Sequence, residues 1–440
     1  MSTSAIAKAG LPSHSAHRHR AWIVVRRRAF LVLICLIIIL LTSSEGYLGR
    51  SRTTLILNQA IETHAFRLVA WEAQAVRQKA SDALTRPGAA LDAAAQHDLV
   101  VAYFEAVGKI GHLNRQIERI YADPKETDPT IAAAPLQAEL DSLRDQQARR
   151  RPAVERILER QIAAVLNEEG LTTGGHVWPA VRFQFTESPL YLIVSPRDRI
   201  VVEEGIYLEP DLALAQTERI ETAIATQLDV SALVEGTGGF SSYPTMVIEY
   251  PVMEWVLSTI AHEWGHTYLF FRPLGWHYGD SGATRTINET TVSILGDEIA
   301  ARVLARYYPD QAPPSDWPRP LAMSPDWWNP TPPRFEFGKF MRATRLRVDQ
   351  LLAAGAVADA EAYMEAQRQV LVEQGYTIRK LNQAYFAFHG SYAVGPSATD
   401  PIGGKLRALR HRTGSLAEFM QVVSRITSAA DLDAALAQTR

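Results

Sequence analysis

Cysteine is almost missing from this chain: there is one, Cys35, in 440 residues. It can form no internal disulfide, and without a second thiol there is no cysteine-built zinc ribbon or redox pair. Any metal must be held by histidine, aspartate or glutamate. A surplus of charge is missing as well. Lysine and arginine number 45 against 48 acidic residues, a net charge of −3, which leaves no global field to gather nucleic acid. Dinucleotide and P-loop spacings are also missing; the glycine-rich Glu235-Gly236-Thr237-Gly238-Gly239 comes nearest and has neither. There is no internal repeat. Apolar material is plentiful, at 47% of residues. That suffices for a large core in two or three domains and excludes a disulfide mini-protein or a disordered tail.

Acidic residues are absent before Glu45, whereas Lys8, Arg18, Arg20, Arg26, Arg27 and Arg28 precede an unbroken apolar run, Ala29 to Leu41. A basic stretch at 1–28 followed by an apolar one at 29–44 has the layout of a signal peptide or signal anchor. The run is short beside the roughly 20 residues of an upright span, so cleavage is one expectation. The absence of an Ala-x-Ala site and the immediate return of helical sequence favour the other, a retained anchor. The charge bias then keeps the N-terminus cytoplasmic and the rest of the chain outside. Ile34 is too bulky to precede a lipoprotein cysteine, so Cys35 reads as lipid-facing filler.

From 45 to 172 the pattern is helical. Leu57, Ile61, His64, Leu68, Trp71 and Ala75 step by fours and threes, and so do Tyr103, Val107, Ile110, Ile117 and Tyr121 with Asn114 at one seam position. Such stripes bury one face of each helix. Breaks at Arg86-Pro87-Gly88 and between Asp123-Pro124 and Asp128-Pro129 predict long helices packed as hairpins, a membrane-proximal bundle. His64 reads as a packed side chain. Between 173 and 308 the texture turns to extended segments rich in β-branched and aromatic residues: Val181 to Phe185, Leu190 to Val194, Ile200 to Leu208 and Thr245 to Tyr250, with an amphipathic helix from Ala213 to Leu228 between them. A small, mostly antiparallel sheet is expected. The segment 309–334 holds nine prolines and three tryptophans, too dense for any regular element and expected as a long loop. Helices return over 335–440. The fold class is α+β and predominantly helical.

Residues 252 to 271 carry the chemistry. Pro251 suits the entry to a helix and Arg272-Pro273 stops one, and the 20 residues between are apolar on nearly every side, so about thirty ångströms of helix is buried. His262, Glu263 and His266 lie within it, and no lysine or arginine is on the helix to pair with them. Each would cost about 1–3 kcal/mol if left unpartnered. His262 and His266 are one turn apart on one face and can reach one ion, with Glu263 rotated by about 100° to stand beside the open position. Two imidazoles and a carboxylate leave a place for water, whose proton Glu263 would take as general base. One zinc ion per chain is expected.

His262, Glu263 and His266 match the signature of the zincin metallopeptidases residue for residue, and the segment around them resembles that superfamily. The metzincin extension would need glycine at 269 and histidine at 272; the chain has Leu269 and Arg272. The gluzincin branch takes its third ligand from a glutamate on a following helix, and Asn288-Glu289-Thr290-Thr291, beginning 22 residues after His266, resembles that motif. The resemblance thus implies Glu289 as third ligand at the start of a helix running from Glu289 to Tyr307, with Glu298, Asp297, Asp280 and His277 as competitors. Ser293 stands where a thermolysin-like aspartate would orient a histidine. Asp297, on the face of Glu289, is expected to support a ligating imidazole.

The resemblance further implies that an edge strand, here the segment bearing Thr245, Val247 and Glu249, pairs with substrate backbone. It also implies that a tyrosine or histidine stabilises the oxyanion; His389 and Tyr392, with Tyr385, are candidates. Glu249 or Glu235 could hold a substrate amine. Together these predict a zincin-like catalytic core between an N-terminal bundle and a C-terminal helical region. The predicted protein is a membrane-anchored extracytoplasmic zinc peptidase acting on peptides or proteins. The alternative is a non-catalytic membrane-anchored helical scaffold or sensor with a vestigial metal site.

Overall fold

Helices dominate because apolar residues recur at three- and four-residue steps over long stretches. The computed structural model describes residues 52–61, 63–122, 127–311, 335–376, 378–390 and 401–439. The basic segment, the expected anchor, nearly all of the proline–tryptophan segment and Tyr392 lie outside these. Among the described residues no helix is long and apolar enough to cross a membrane. By its contacts the chain divides after Leu55; the account that follows is of the unit from Ile56 onward.

The N-terminal helices are α1 (Arg52–Ile61), α2 (Leu68–Thr85), α3 (Ala93–Ala122) and α4 (Pro129–Glu168). Two of the predicted breaks are found: Arg86 ends α2 with a left-handed φ of 49°, and Asp128 caps α4 through its side chain. α3 and α4 pack as the expected hairpin. The stripe from Leu57 to Ala75 is not one helix, however. Ala65 bridges Leu208, and Phe66 donates its N–H to the carbonyl of Tyr207. Residues around His64 are drawn out of helix to pair a strand edge whose backbone groups would otherwise lack partners.

Two three-stranded sheets follow. β2 (Leu190–Pro196) lies between β3 (Glu204–Leu208) and β4 (Val230–Gly236), all antiparallel, with α5 (Leu214–Leu228) against β4. In the second sheet β6 (Thr245–Val247) is central, parallel to β1 (Phe183–Phe185) and antiparallel to the two-residue β5 (Gly239–Phe240). The outer edge of β1 is closed by side chains. Glu155 and Glu159 of α4 accept the N–H groups of Phe185 (2.7 Å) and Phe183 (3.1 Å).

Then come α6 (Met253–Phe270), the short α7 (Pro273–Trp276) and α8 (Gly282–Tyr307). The C-terminal region is α9 (Phe337–Ala353), α10 (Val357–Glu373), α11 (Gln383–Gly390), α12 (Ile402–Arg412), α13 (Leu416–Val423) and α14 (Ala429–Gln438). The α+β, predominantly helical class is as expected. The separation of bundle, core and C-terminal region is not. One apolar core joins Tyr103 and Ile162 of the N-terminal hairpin to Leu257 and Leu295 of α6 and α8 and to Phe419 and Leu432 near the C-terminus. An amphipathic stripe tells that a face is buried but not against what, so boundaries at 172 and 308 do not divide the packing.

Candidate metal centre

α6 and α8 are held backbone to backbone by two glycines. A β-carbon on Gly265 would meet Leu295 and Val292 at 2.9 Å, and one on Gly296 would meet the Ser258 carbonyl oxygen at 2.6 Å and Cβ of His262 at 3.3 Å. These contacts also make the helices antiparallel, since 258 and 262 face 296 while 265 faces 292 and 295. This close approach lets a side chain of α8 reach the histidines of α6.

That side chain is Glu289. Its Oε2 lies 3.5 Å from His262 Nε2 and 3.4 Å from His266 Nε2, and the two imidazole nitrogens are 3.2 Å apart. Three electron-rich atoms so disposed repel one another unless a cation or proton stands among them. Separations of this size are those between ligands of a tetrahedral ion bound at about 2.0–2.2 Å. Glu289 Oε1 accepts a hydrogen bond from the Tyr278 hydroxyl at 2.6 Å, but Oε2 accepts none. Among the described residues it is the one buried carboxylate oxygen without a partner. The donor set and the orphaned oxygen fit a divalent ion, and His262, His266 and Glu289 could hold one.

Neighbouring groups orient the donors. Ser293 donates to the Glu289 carbonyl at 2.8 Å, so its free lone pair faces His262 Nδ1 at 3.4 Å. An N–H on Nδ1 leaves Nε2 its lone pair for a metal. Asp297 accepts a hydrogen bond from Ser258 at 3.0 Å, one turn before His262. Burial lowers the pKa of His266, and Glu289 and Glu263 beside it more than reverse this, leaving it up at about 9. Burial opposes ionisation of Glu289, yet the two histidines hold its carboxyl well below the ordinary range.

Glu263 is not part of the triangle. Burial pushes its pKa up, against the pull of His262 and His266. The backbone of β5 passes directly over it: a β-carbon on Gly239 would stand 2.7 Å from Glu263 Oε1. A side chain there would push Glu263 aside. Ser241 secures the crossing by donating to the Glu263 carbonyl at 3.2 Å.

Several expectations change. Glu289 is not at a helix start, because α8 begins seven residues earlier at a Ser281–Thr284 capping box. Glu298 is taken by Arg302 and Arg410, and His277 and Asp280 pair with each other at 2.6 Å; none of these joins the triangle. Thr245 and Val247 are buried in a central strand with neighbours on both sides, so they cannot pair with substrate. The sheet's edge beside Glu263 is β5, whose two residues carry no strand signal. Glu249 turns the other way, to Tyr103 and to Arg151 (3.1 Å), because a carboxylate at that depth needs a cation and α4 supplies one. Glu235, on β4, has its pKa pushed up to about 7 by burial.

His389 ends α11 in an aromatic setting, 4.2 Å from the Tyr385 ring and 5.1 Å from that of Phe388, and burial lowers its pKa to about 4. None of the contacts described for His389 or Tyr385 is with the metal-site residues. Other residues are brought there instead, Tyr278 and Tyr207 from outside any motif and Asn288 from the motif of Glu289. Tyr278 holds Glu289, and Tyr207 of β3 packs its ring edge-on to Phe240 at 4.5 Å beside the crossing over Glu263. Asn288, buried beside Glu289, acts on the imidazole of His266. No known family, curated protein or solved structure matches the chain.

Proposed function

We propose that this protein is a zinc-dependent peptidase of gluzincin type, tethered to a membrane by residues 29–44 with the catalytic unit outside. The observation that carries the reading is the unpartnered Oε2 of Glu289, aimed between two imidazoles that a helical turn brings together. Two imidazoles and a carboxylate suit zinc. When bound, the ion would polarise a substrate carbonyl and lower the pKa of a water molecule. The chain's own residues do the remaining work. Glu263, buried and outside the donor triangle, takes that water's proton and can return it to the leaving amine. Ser293 and Tyr278 hold His262 and Glu289 in register. The unpaired edge of β5, running over Glu263, offers backbone N–H and C=O groups to an extended peptide.

The test is metal analysis of the purified full-length protein with digestion of a peptide library. One zinc per chain is expected, abolished in His262→Ala. Glu263→Gln should keep the zinc and lose hydrolysis by about 10²- to 10⁴-fold. A zinc-loaded wild-type protein that cuts no peptide would refute the activity while leaving the metal site.

A further inference from the structure

Three arginines lie on α8, and two are satisfied: Arg302 pairs with Glu169 and Glu298, and Arg306 with Glu168. The third, Arg285, is half-buried and has no carboxylate within ion-pair distance among the described residues. It stands one helical turn before Glu289, on the same face. Its guanidinium lies 5.3 Å from the centroid of the Tyr278 ring, and the Tyr278 hydroxyl is the one that binds Glu289 Oε1. Tyr207 feels the same charges. Burial, Tyr191, Glu263 and Glu289 hold its pKa up, while Arg285 works against them. A guanidinium resting on an aromatic face loses little by this placement, because it is weakly hydrated and stacks well. It nonetheless keeps its N–H donors free, and a half-buried cation with free donors one turn from the Glu289 carboxylate is matched by an anion that arrives from outside.

We propose that Arg285 is the specificity residue of this site and that it receives a carboxylate of the substrate, either the free C-terminus of a peptide or an aspartate or glutamate side chain. The proposal rests on the peptidase reading above. A planar guanidinium matches a carboxylate in two parallel hydrogen bonds. That contact positions the chain without touching the bond to be cut, so it acts on binding.

The experiment uses the zinc-loaded full-length protein and one hexapeptide library in three forms: free C-terminal acids, C-terminal amides, and amides containing aspartate and glutamate. The wild type should cleave the first or the third form with a KM about 10- to 100-fold below that for plain amides, and which of the two it prefers tells the source of the carboxylate. Arg285→Gln should raise KM for the preferred form by the same factor and leave kcat and the plain amides unchanged, and Arg285→Lys should restore part of the loss. Equal use of all three forms by the wild type overturns the assignment without needing any variant. Binding of the same libraries to zinc-loaded Glu263→Gln protein, read by fluorescence, keeps the question separate from activity. If nothing is hydrolysed but carboxylate-bearing peptides bind selectively and Arg285→Gln removes that selectivity, Arg285 stands and the peptidase reading falls. Binding without such selectivity overturns Arg285 whatever the activity.

Discussion

Two places in this molecule bury glutamates, and they differ in how the oxygens are used. Under the outer edge of β1, Glu155 and Glu159 of α4 have all four oxygens engaged: the N–H groups of Phe185 and Phe183, Lys79 at 2.7 and 2.9 Å, and Arg182 at 3.0 Å. Between α6 and α8, Glu289 has one oxygen bonded to Tyr278 and the other without a hydrogen bond, facing only the two imidazoles. Burial and charge are common to both. The completed cluster fastens a strand to a helix, and the incomplete one sets an oxygen 3.4–3.5 Å from two imidazole nitrogens, a group that could hold a metal ion. A buried carboxylate says little about function until its oxygens are accounted for one by one.

The contrast can be broken at the completed cluster first. Lys79→Met leaves two carboxylates without their shared cation, and a loss of about 3–5 kcal/mol is expected in denaturant unfolding near neutral pH. Zinc content should be unchanged. Burial already pushes Glu155 up to about 7 despite Lys79, so the variant should regain stability as pH falls and that carboxyl takes a proton. A variant that unfolds like the wild type would make the cluster ornamental.

At the incomplete cluster a gentler change sharpens the comparison. Tyr278→Phe removes the hydrogen bond that holds Glu289 Oε1, and partners of this kind are worth about 10- to 100-fold in metal affinity. Competition against a chelator should show that loss with the stoichiometry intact. An unchanged affinity would mean that the helix packing alone aims Glu289.

The smallest effect is one of shape. In the metal-free protein His266 is raised from 6.5 to about 9, so the folded state binds the extra proton. The stability it contributes is full below about pH 6.5 and is lost as pH rises through about 9. A metal needs the neutral ring, so apparent zinc affinity should rise over the same interval and binding should release protons. Thermal melts of metal-free protein from pH 6 to 10, with calorimetry in two buffers, read both. A flat melting profile would show that no proton is shared among these donors.

How much of this could be read in advance depends on distance along the chain. His262, Glu263 and His266 are set by 3.6 residues per turn and needed no tertiary information. The breaks before α3 and between α3 and α4 were equally local, resting on proline and glycine. Glu289 follows from resemblance to a motif, but the helix that bears it starts at the Ser281–Thr284 cap and not at Glu289. The expected edge strand fails for a firmer reason. β5 is two residues long within a glycine-rich turn, and its pairing with Met246 and Val247 takes the edge away from β6. Tyr278, Tyr207 and Arg285 carry no spacing signal at all.

The sequence by itself determined that one helix is buried, that two imidazoles and a carboxylate share it, and that no second cysteine stands beside Cys35 to form a pair. Those facts follow from periodicity and composition, which act within a few residues. The tertiary structure decided which carboxylate oxygen goes without a partner, which strand crosses Glu263, and which arginine keeps its donors free. Each of these is a contact between elements far apart in the chain, and such contacts are chosen by how glycines, rings and charges fit when the helices close.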